Sequence, residues 1–184
     1  VYPLHDQQFV AGVAPEVAEQ VRRLRHRACL ALWCGNNELE VAWAGWGWDK
    51  PADADLKAGY ARFFHATLPA WVAEHDPERS YWPSSPSSDQ QFADPNGDAR
   101  GDTHLWDVWH ALKPFEHYRT SLSRFVSEFG FQSLPALATV NTYAEPADQN
   151  MTSYIMEHHQ RNTGGNGRIV SYMTANFQLP KDLD

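Results

Sequence analysis

Apolar residues run unbroken from Cys29 to Cys34, and then Gly35, Asn36, Asn37 and Glu38 restore polarity. A short continuous apolar run marks a strand buried on both faces. Residues 29–34 are therefore predicted as a strand with Glu38 at its C-terminal rim. Phe125 and Val126 repeat the pattern in a strand over 124–127, which Glu128 and Gly130 close. Two more strands are expected at 80–83 (Ser80-Tyr81-Trp82-Pro83) and 103–109, where Leu105, Trp106 and Val108 are apolar.

Helical spacing fills the intervals. Val17, Val21 and Leu24 predict an amphipathic helix over 15–27, opened by Pro15 at its first position. Arg22, Arg23, Arg25 and His26 crowd its end, where positive charge complements the helix dipole. Leu56, Tyr60, Phe63, Phe64, Trp71 and Val72 predict a helix over 55–75, kinked at Pro69. Shorter helices are expected at 114–122, 135–143, 149–161 and 169–177. Residues 39–54 read as a loop, because Gly45, Gly47 and Pro51 break helices. The Ser-Ser-Pro-Ser-Ser run from Ser84 opens an ordered rim loop to about Gly101, and Asn162–Gly167 reads as a flexible loop. Strands alternating with helices argue for an α/β fold built from parallel β/α units.

Composition narrows the function. The 184 residues suffice for one domain with a real core but fall short of a complete (β/α)8 barrel, which takes about 250. A formal charge of −8 disfavours nucleic acid as a partner. No run approaches the roughly 18 apolar residues of a membrane helix. Eight Trp in a chain that is 13% aromatic suit a carbohydrate site, although most such rings serve the core. Cys29 and Cys34 are offset by an odd number along one strand, point to opposite faces and read as two buried thiols, not a disulfide.

The chemistry lies at the strand ends. Parallel sheets keep their reactive groups at the C-terminal rim, and here two strands each end in a glutamate, Glu38 and Glu128. Two carboxylates across a sugar are the working parts of glycoside hydrolysis. Trp46, on the loop just past Glu38, is placed to face a ligand. His104 and His110 match no strong zinc spacing, so polar contact to substrate is the expectation for His104, and no metal or organic cofactor is expected. A carbohydrate-binding module without catalysis is the rival; it would hold the two glutamates far apart.

Trp33-Cys34-Gly35-Asn36-Asn37-Glu38 resembles the acid/base motif of the β-mannosidases of glycoside hydrolase family 2. Ser127-Glu128-Phe129-Gly130 with Gln132-Ser133 resembles their nucleophile motif. Gly101-Asp102-Thr103-His104, Trp106-Asp107-Val108-Trp109-His110 and Glu157-His158-His159-Gln160-Arg161-Asn162 are similar to that group too. The resemblance implies a fragment of one catalytic (β/α)8 TIM barrel, about strands 4 to 7 with their helices. The rest of the barrel and the N-terminal β-sandwich domains would lie outside the 184 residues and complete the enzyme. It implies a retaining exo-glycosidase for terminal β-D-mannose, with Glu38 as acid/base and Glu128 as nucleophile. Asn37, Trp46, His104, Trp106 and Trp109 would contact a β-mannoside or oligosaccharide substrate. Other family-2 activities (β-galactosidase, β-glucuronidase, exo-β-glucosaminidase) use the same carboxylate pair. The compartment stays open.

Overall fold

The structure, a computed structural model, describes residues 2–48, 50 and 54–178. Pro51, expected as a loop breaker, lies outside them. The chain forms two compact units. The first runs to Leu105 and takes in Ser121–Phe129; the second comprises Trp106–Thr120 and the chain from Gly130 onward.

In the first unit, helix α1 spans Gln7–Leu24 and starts well before the expected residue 15. Asp6 explains the early start: its carboxylate accepts from the backbone N–H groups of Gln8 (2.8 Å) and Phe9 (3.2 Å), capping two donors that the helix cannot satisfy itself. Pro15 thus falls inside the helix instead of opening it.

The four expected strands form as two separate parallel pairs, all in the first unit. β1 (Trp33–Cys34) pairs with β2 (Tyr81–Trp82). β3 (Thr103–Leu105) pairs with β4 (Val126–Phe129). Each is shorter than or offset from its expected span. The β1–β2 pairing loses regularity at Pro83, which has no N–H to donate. It resumes as an isolated parallel bridge between Asn37 and Ser85. The strand expected at 103–109 stops at Leu105, and Asp107–Ala111 forms helix α5 of the second unit. Val108 and Trp109, 0% and 2% exposed, are buried on that helix. Glu128 lies within β4, not after it. The two cysteines, expected to be buried, are exposed.

Residues 39–54, expected as a loop, contain helix α2 (Leu39–Gly45). Gly45 ends that helix and does not prevent it. Buried Glu40 and Trp43 lie three apart on its inner face. The helix expected at 55–75 forms as α3 (Ala54–Arg62), a π-helical turn (Phe63–Thr67) and α4 (Leu68–His75). Pro69 cannot donate to the preceding turn, and the widened turn sits just before it. Val21, Trp43, Tyr60, Phe63, Phe64, Leu68 and Val72 form this unit's core. Trp43 packs edge-on against both Tyr60 and Phe92, at 5.3 and 5.2 Å.

The second unit also holds a 3-10 turn (Phe115–Arg119) and helices α6 (Leu137–Val140), α7 (Tyr154–His159) and α8 (Gly165–Asn176). The expected helix 149–161 shortens to α7 because Ser153 caps it, accepting from Met156 N–H at 3.1 Å. The glycine-rich stretch expected as a loop starts α8 at Gly165. Phe131 and Tyr172 pack edge-on at 4.8 Å, and Trp109 joins Phe131 at 5.0 Å. No helix among the described residues is long and apolar enough to cross a membrane.

Candidate active site

Glu38 sits where the β1 strand path becomes α2. Its backbone N–H donates to Ser85 O (2.8 Å), and its carbonyl accepts the first helical bond from Ala42 N (2.8 Å). Meeting both partners puts Glu38 itself in the left-handed region, at φ 60 and ψ 6. Asn36 braces this turn with both ends of its amide. Nδ2 donates to Tyr60 Oη (3.0 Å) and Pro83 O (2.8 Å), and Oδ1 accepts from Ser84 Oγ (2.8 Å) and Leu39 N (3.2 Å). The carboxylate does not cap α2 and is left for other work.

Glu128 reaches the same place from β4. The parallel register pairs Thr103 with Val126 and His104 with Glu128, so Ser127 is skipped. This irregularity sets Glu128 directly beside His104. Nδ1 of His104 lies 2.8 Å from Glu38 Oε1 and 3.2 Å from Glu128 Oε2. The imidazole is 3% exposed, whereas the Glu38 and Glu128 side chains are 21% and 40% exposed. Two solvent-reachable carboxylates thus converge on one buried ring. One oxygen of each and the ring nitrogen all lie within 4.8 Å of one another. These are three donors of the kind that hold a divalent cation, but Nδ1 is already engaged with both carboxylates.

His104 is held from every side. Asn96 grips its backbone, accepting from N–H at 2.7 Å and donating to the carbonyl at 3.0 Å. Nε2 lies 2.9 Å from Ser85 Oγ. Ser85 Oγ donates to Asp102 Oδ2 (2.6 Å), as does Ser127 Oγ (2.5 Å), and Ser87 N–H donates to Asp102 Oδ1 (3.1 Å).

The structure brings Glu38, Glu128 and His104 together. Asn37 is exposed beside them, with its backbone bridged to Ser85. Trp46 follows α2, 53% exposed and edge-on to Trp48 at 6.1 Å. Trp106 and Trp109 belong to the second unit. There Trp106 packs near His110 (5.5 Å), and Trp109 is buried with the Arg168 guanidinium 5.8 Å from its ring centre.

Sequence reasoning missed Ser85, Asp102 and Glu40. Ser85 sits in a run whose composition reads as a linker. Asp102 lies in the Gly101-Asp102-Thr103-His104 stretch, where no spacing marks it out from its neighbours. Glu40 is fully buried and accepts from Ser87 Oγ (2.6 Å) and Tyr60 Oη (3.1 Å), with His65 Nε2 at 2.8 Å. Its signal was a carboxylate one residue into an apolar helix face.

No family model matches the chain. It is 33% identical over 186 residues to "Beta-mannosidase B" of Neosartorya fischeri, covering 96% of this chain and 22% of that protein. It is 31% identical over 187 residues to the Aspergillus niger protein of the same name, with the same coverage. A solved structure of "Beta-D-Mannosidase from Dictyoglomus thermophilum" matches 96% of this chain and 21% of its own, at 32% identity and a TM-score of 0.82. The chain spans about a fifth of the length of the relatives it matches.

Proposed function

We propose, from a chain that belongs to the β-mannosidases as one segment of them, that it carries the catalytic pair of a retaining exo-β-mannosidase of glycoside hydrolase family 2. The reaction is hydrolysis of terminal non-reducing β-D-mannose residues. The observation that carries this reading is the approach of Glu38 and Glu128 to within 4.8 Å, oxygen to oxygen. Retaining enzymes set their carboxyl groups about 5–5.5 Å apart, whereas inverting ones leave about 6.5–9.5 Å for a water. A binding module without catalysis has no need to converge two carboxylates.

In this reading Glu38 protonates the glycosidic oxygen while Glu128 attacks the anomeric carbon from the opposite face. The aglycone leaves with Glu38's proton, and the sugar remains esterified to Glu128. Glu38, now a carboxylate, takes a proton from water, which displaces Glu128 and restores both groups. Asn37 contacts the sugar 2-hydroxyl, and Trp46 offers a ring for stacking. His104, beside both carboxylates, completes the polar surroundings of the sugar. No step requires a metal or organic cofactor. The two parallel pairs are read as strands 4 to 7 of a (β/α)8 barrel, with the remaining strands and the preceding β-sandwich domains supplied by the rest of the enzyme.

The test is turnover of p-nitrophenyl β-D-mannoside, galactoside and glucuronide by the full-length enzyme carrying this segment, with and without Glu128→Gln. Hydrolysis of the mannoside alone, with retained anomeric configuration and abolished in the variant, is expected. Activity retained in Glu128→Gln would remove Glu128 from the nucleophile role.

A further inference from the structure

The two strand pairs of the first unit are joined by side chains. β1–β2 and β3–β4 are separate two-stranded sheets. Glu38 follows the first pair, and Glu128 lies in the second. Asp102, buried just before β3, reaches both. Its Oδ2 accepts from Ser85 Oγ at 2.6 Å and from Ser127 Oγ at 2.5 Å, and its Oδ1 accepts from Ser87 N–H at 3.1 Å. The two hydroxyl oxygens that meet at Oδ2 are 3.3 Å apart. Ser85 is bound in turn to the Glu38 turn by two backbone bonds. Its N–H donates to Asn36 O at 2.9 Å, and its carbonyl accepts from Glu38 N–H at 2.8 Å. Ser127 is the residue that the β3–β4 register skips, directly before Glu128. Three hydrogen bonds therefore run from the main chain of Glu38 to the residue beside Glu128, through one carboxylate oxygen.

We infer that Asp102 and Ser127 are positioning residues that clamp β4 to the Glu38 turn and so set the separation of the two catalytic carboxylates. The inference rests on the reading of Glu38 and Glu128 as the catalytic pair. A regular strand turns neighbouring side chains to opposite faces. An extra residue in one strand bends it and re-aims the side chains beside it. That extra residue has no ladder partner, and here Ser127 takes Asp102 in its place. With three donors on its two oxygens, the buried carboxylate is satisfied where it stands. Both neighbours of the gap are thus held to one fixed point. Retention depends on that gap, since a covalent intermediate needs about 5–5.5 Å between the carboxyl groups and a widened gap admits water. A displacement of about 1 Å is enough to cost most of the rate. The tie is one of position and holds whichever protons His104 and Glu38 carry.

Two variants of the full-length enzyme separate this role from mere support. Ser127→Ala removes the hydroxyl and little else, and Ser127→Thr keeps it. Ser127→Ala should lose about 10- to 100-fold in kcat/KM, the cost of a nucleophile about 1 Å out of place. The loss should be alike on 2,4-dinitrophenyl β-mannoside and β-mannobiose, because a displaced nucleophile slows attack whatever the leaving group. Inhibition by free mannose, which reads ground-state binding, should stay within about threefold of wild type. Ser127→Thr should restore kcat/KM to within about threefold. In the double variant with Asp102→Ala, the loss should be no greater than in Asp102→Ala alone, since the clamp fails when either end is cut. Crystal structures of the wild type and Ser127→Ala read the gap itself, which should widen by about 1 Å in the variant. An unchanged gap, a loss in Ser127→Thr as large as in Ser127→Ala, or losses that multiply in the double variant would overturn the clamp. If the wild-type enzyme hydrolyses no mannoside, the proposed function fails, and the two crystal structures still decide whether Ser127 sets the spacing.

Discussion

Ser87 donates its hydroxyl to Oε2 of Glu40 at 2.6 Å, joining the loop after β2 to helix α2 two residues beyond Glu38. The bond is buried, and the same carboxylate also holds Tyr60 and His65. Removing it would leave three polar groups without their acceptor. Glu40→Ala is therefore expected to destabilise the fold by about 3–5 kcal/mol. Glu40→Gln, which keeps one acceptor oxygen, should cost about 1–3 kcal/mol. Urea unfolding of both variants checks the order; equal effects would mean that the hydrogen bonds contribute little beyond packing.

Gly35 permits the close approach of β1 and β2 just before the rim. A Cβ there would run into the Tyr81 hydroxyl and the Pro83 carbonyl. Tyr81 cannot simply swing away, because its hydroxyl donates to Phe64 O at 2.8 Å. Gly35→Ala is expected to cost about 1–3 kcal/mol as overpacking and to lower activity by displacing Asn36 and Glu38. A wild-type melting temperature in this variant would show that the pair separates easily.

Stability at high pH should report Tyr60 and Tyr81. Burial pushes both phenols well above their ordinary range; next in size are the Glu40 charge for Tyr60, and Cys34 and then Glu40 for Tyr81. Below about pH 10 both stay protonated whether folded or unfolded, and the stability difference is full. Above that, the unfolded chain loses protons that the folded one keeps, so stability falls as pH rises. Tyr81→Phe should make the decline between pH 10 and 11 shallower, as followed by thermal melting across pH. An unchanged slope would assign the alkaline loss to other groups.

Trp46 tests substrate contact apart from the fold. It is more than half exposed and touches Trp48, not the core. Trp46→Ala should leave the melting free energy within about 0.5 kcal/mol while raising KM for mannosides. A large loss of stability would make it a packing residue.

The two glutamates were legible because each follows a short apolar run, and parallel sheets put such positions at one rim. The paired motifs carried the family reading. Helix α1 was misplaced because the amphipathic spacing was read from Val17 onward, while the capping Asp6 lies in a stretch broken by Pro3 and Gly12. Helix α5 was missed because three residues of alternation cannot distinguish a strand from the start of a helix that buries Val108 and Trp109 together. Polar networks were the least legible. Glu40, Asp102 and Ser85 act through partners 15 to 47 positions away, and hydrogen bonds at that separation leave no local period in the chain.

The left-handed backbone at Glu38 bears on how the enzyme tolerates change. A non-glycine residue there costs about 1–2 kcal/mol relative to ordinary helical geometry, so the glutamate stands against the preference of its own main chain. Glu38→Gly should melt higher than Glu38→Ala, since both lose the carboxylate's contact to His104 and only glycine adopts φ 60 without strain. A glycine variant that melts no higher than the alanine variant would show that the main chain bears no strain at this position.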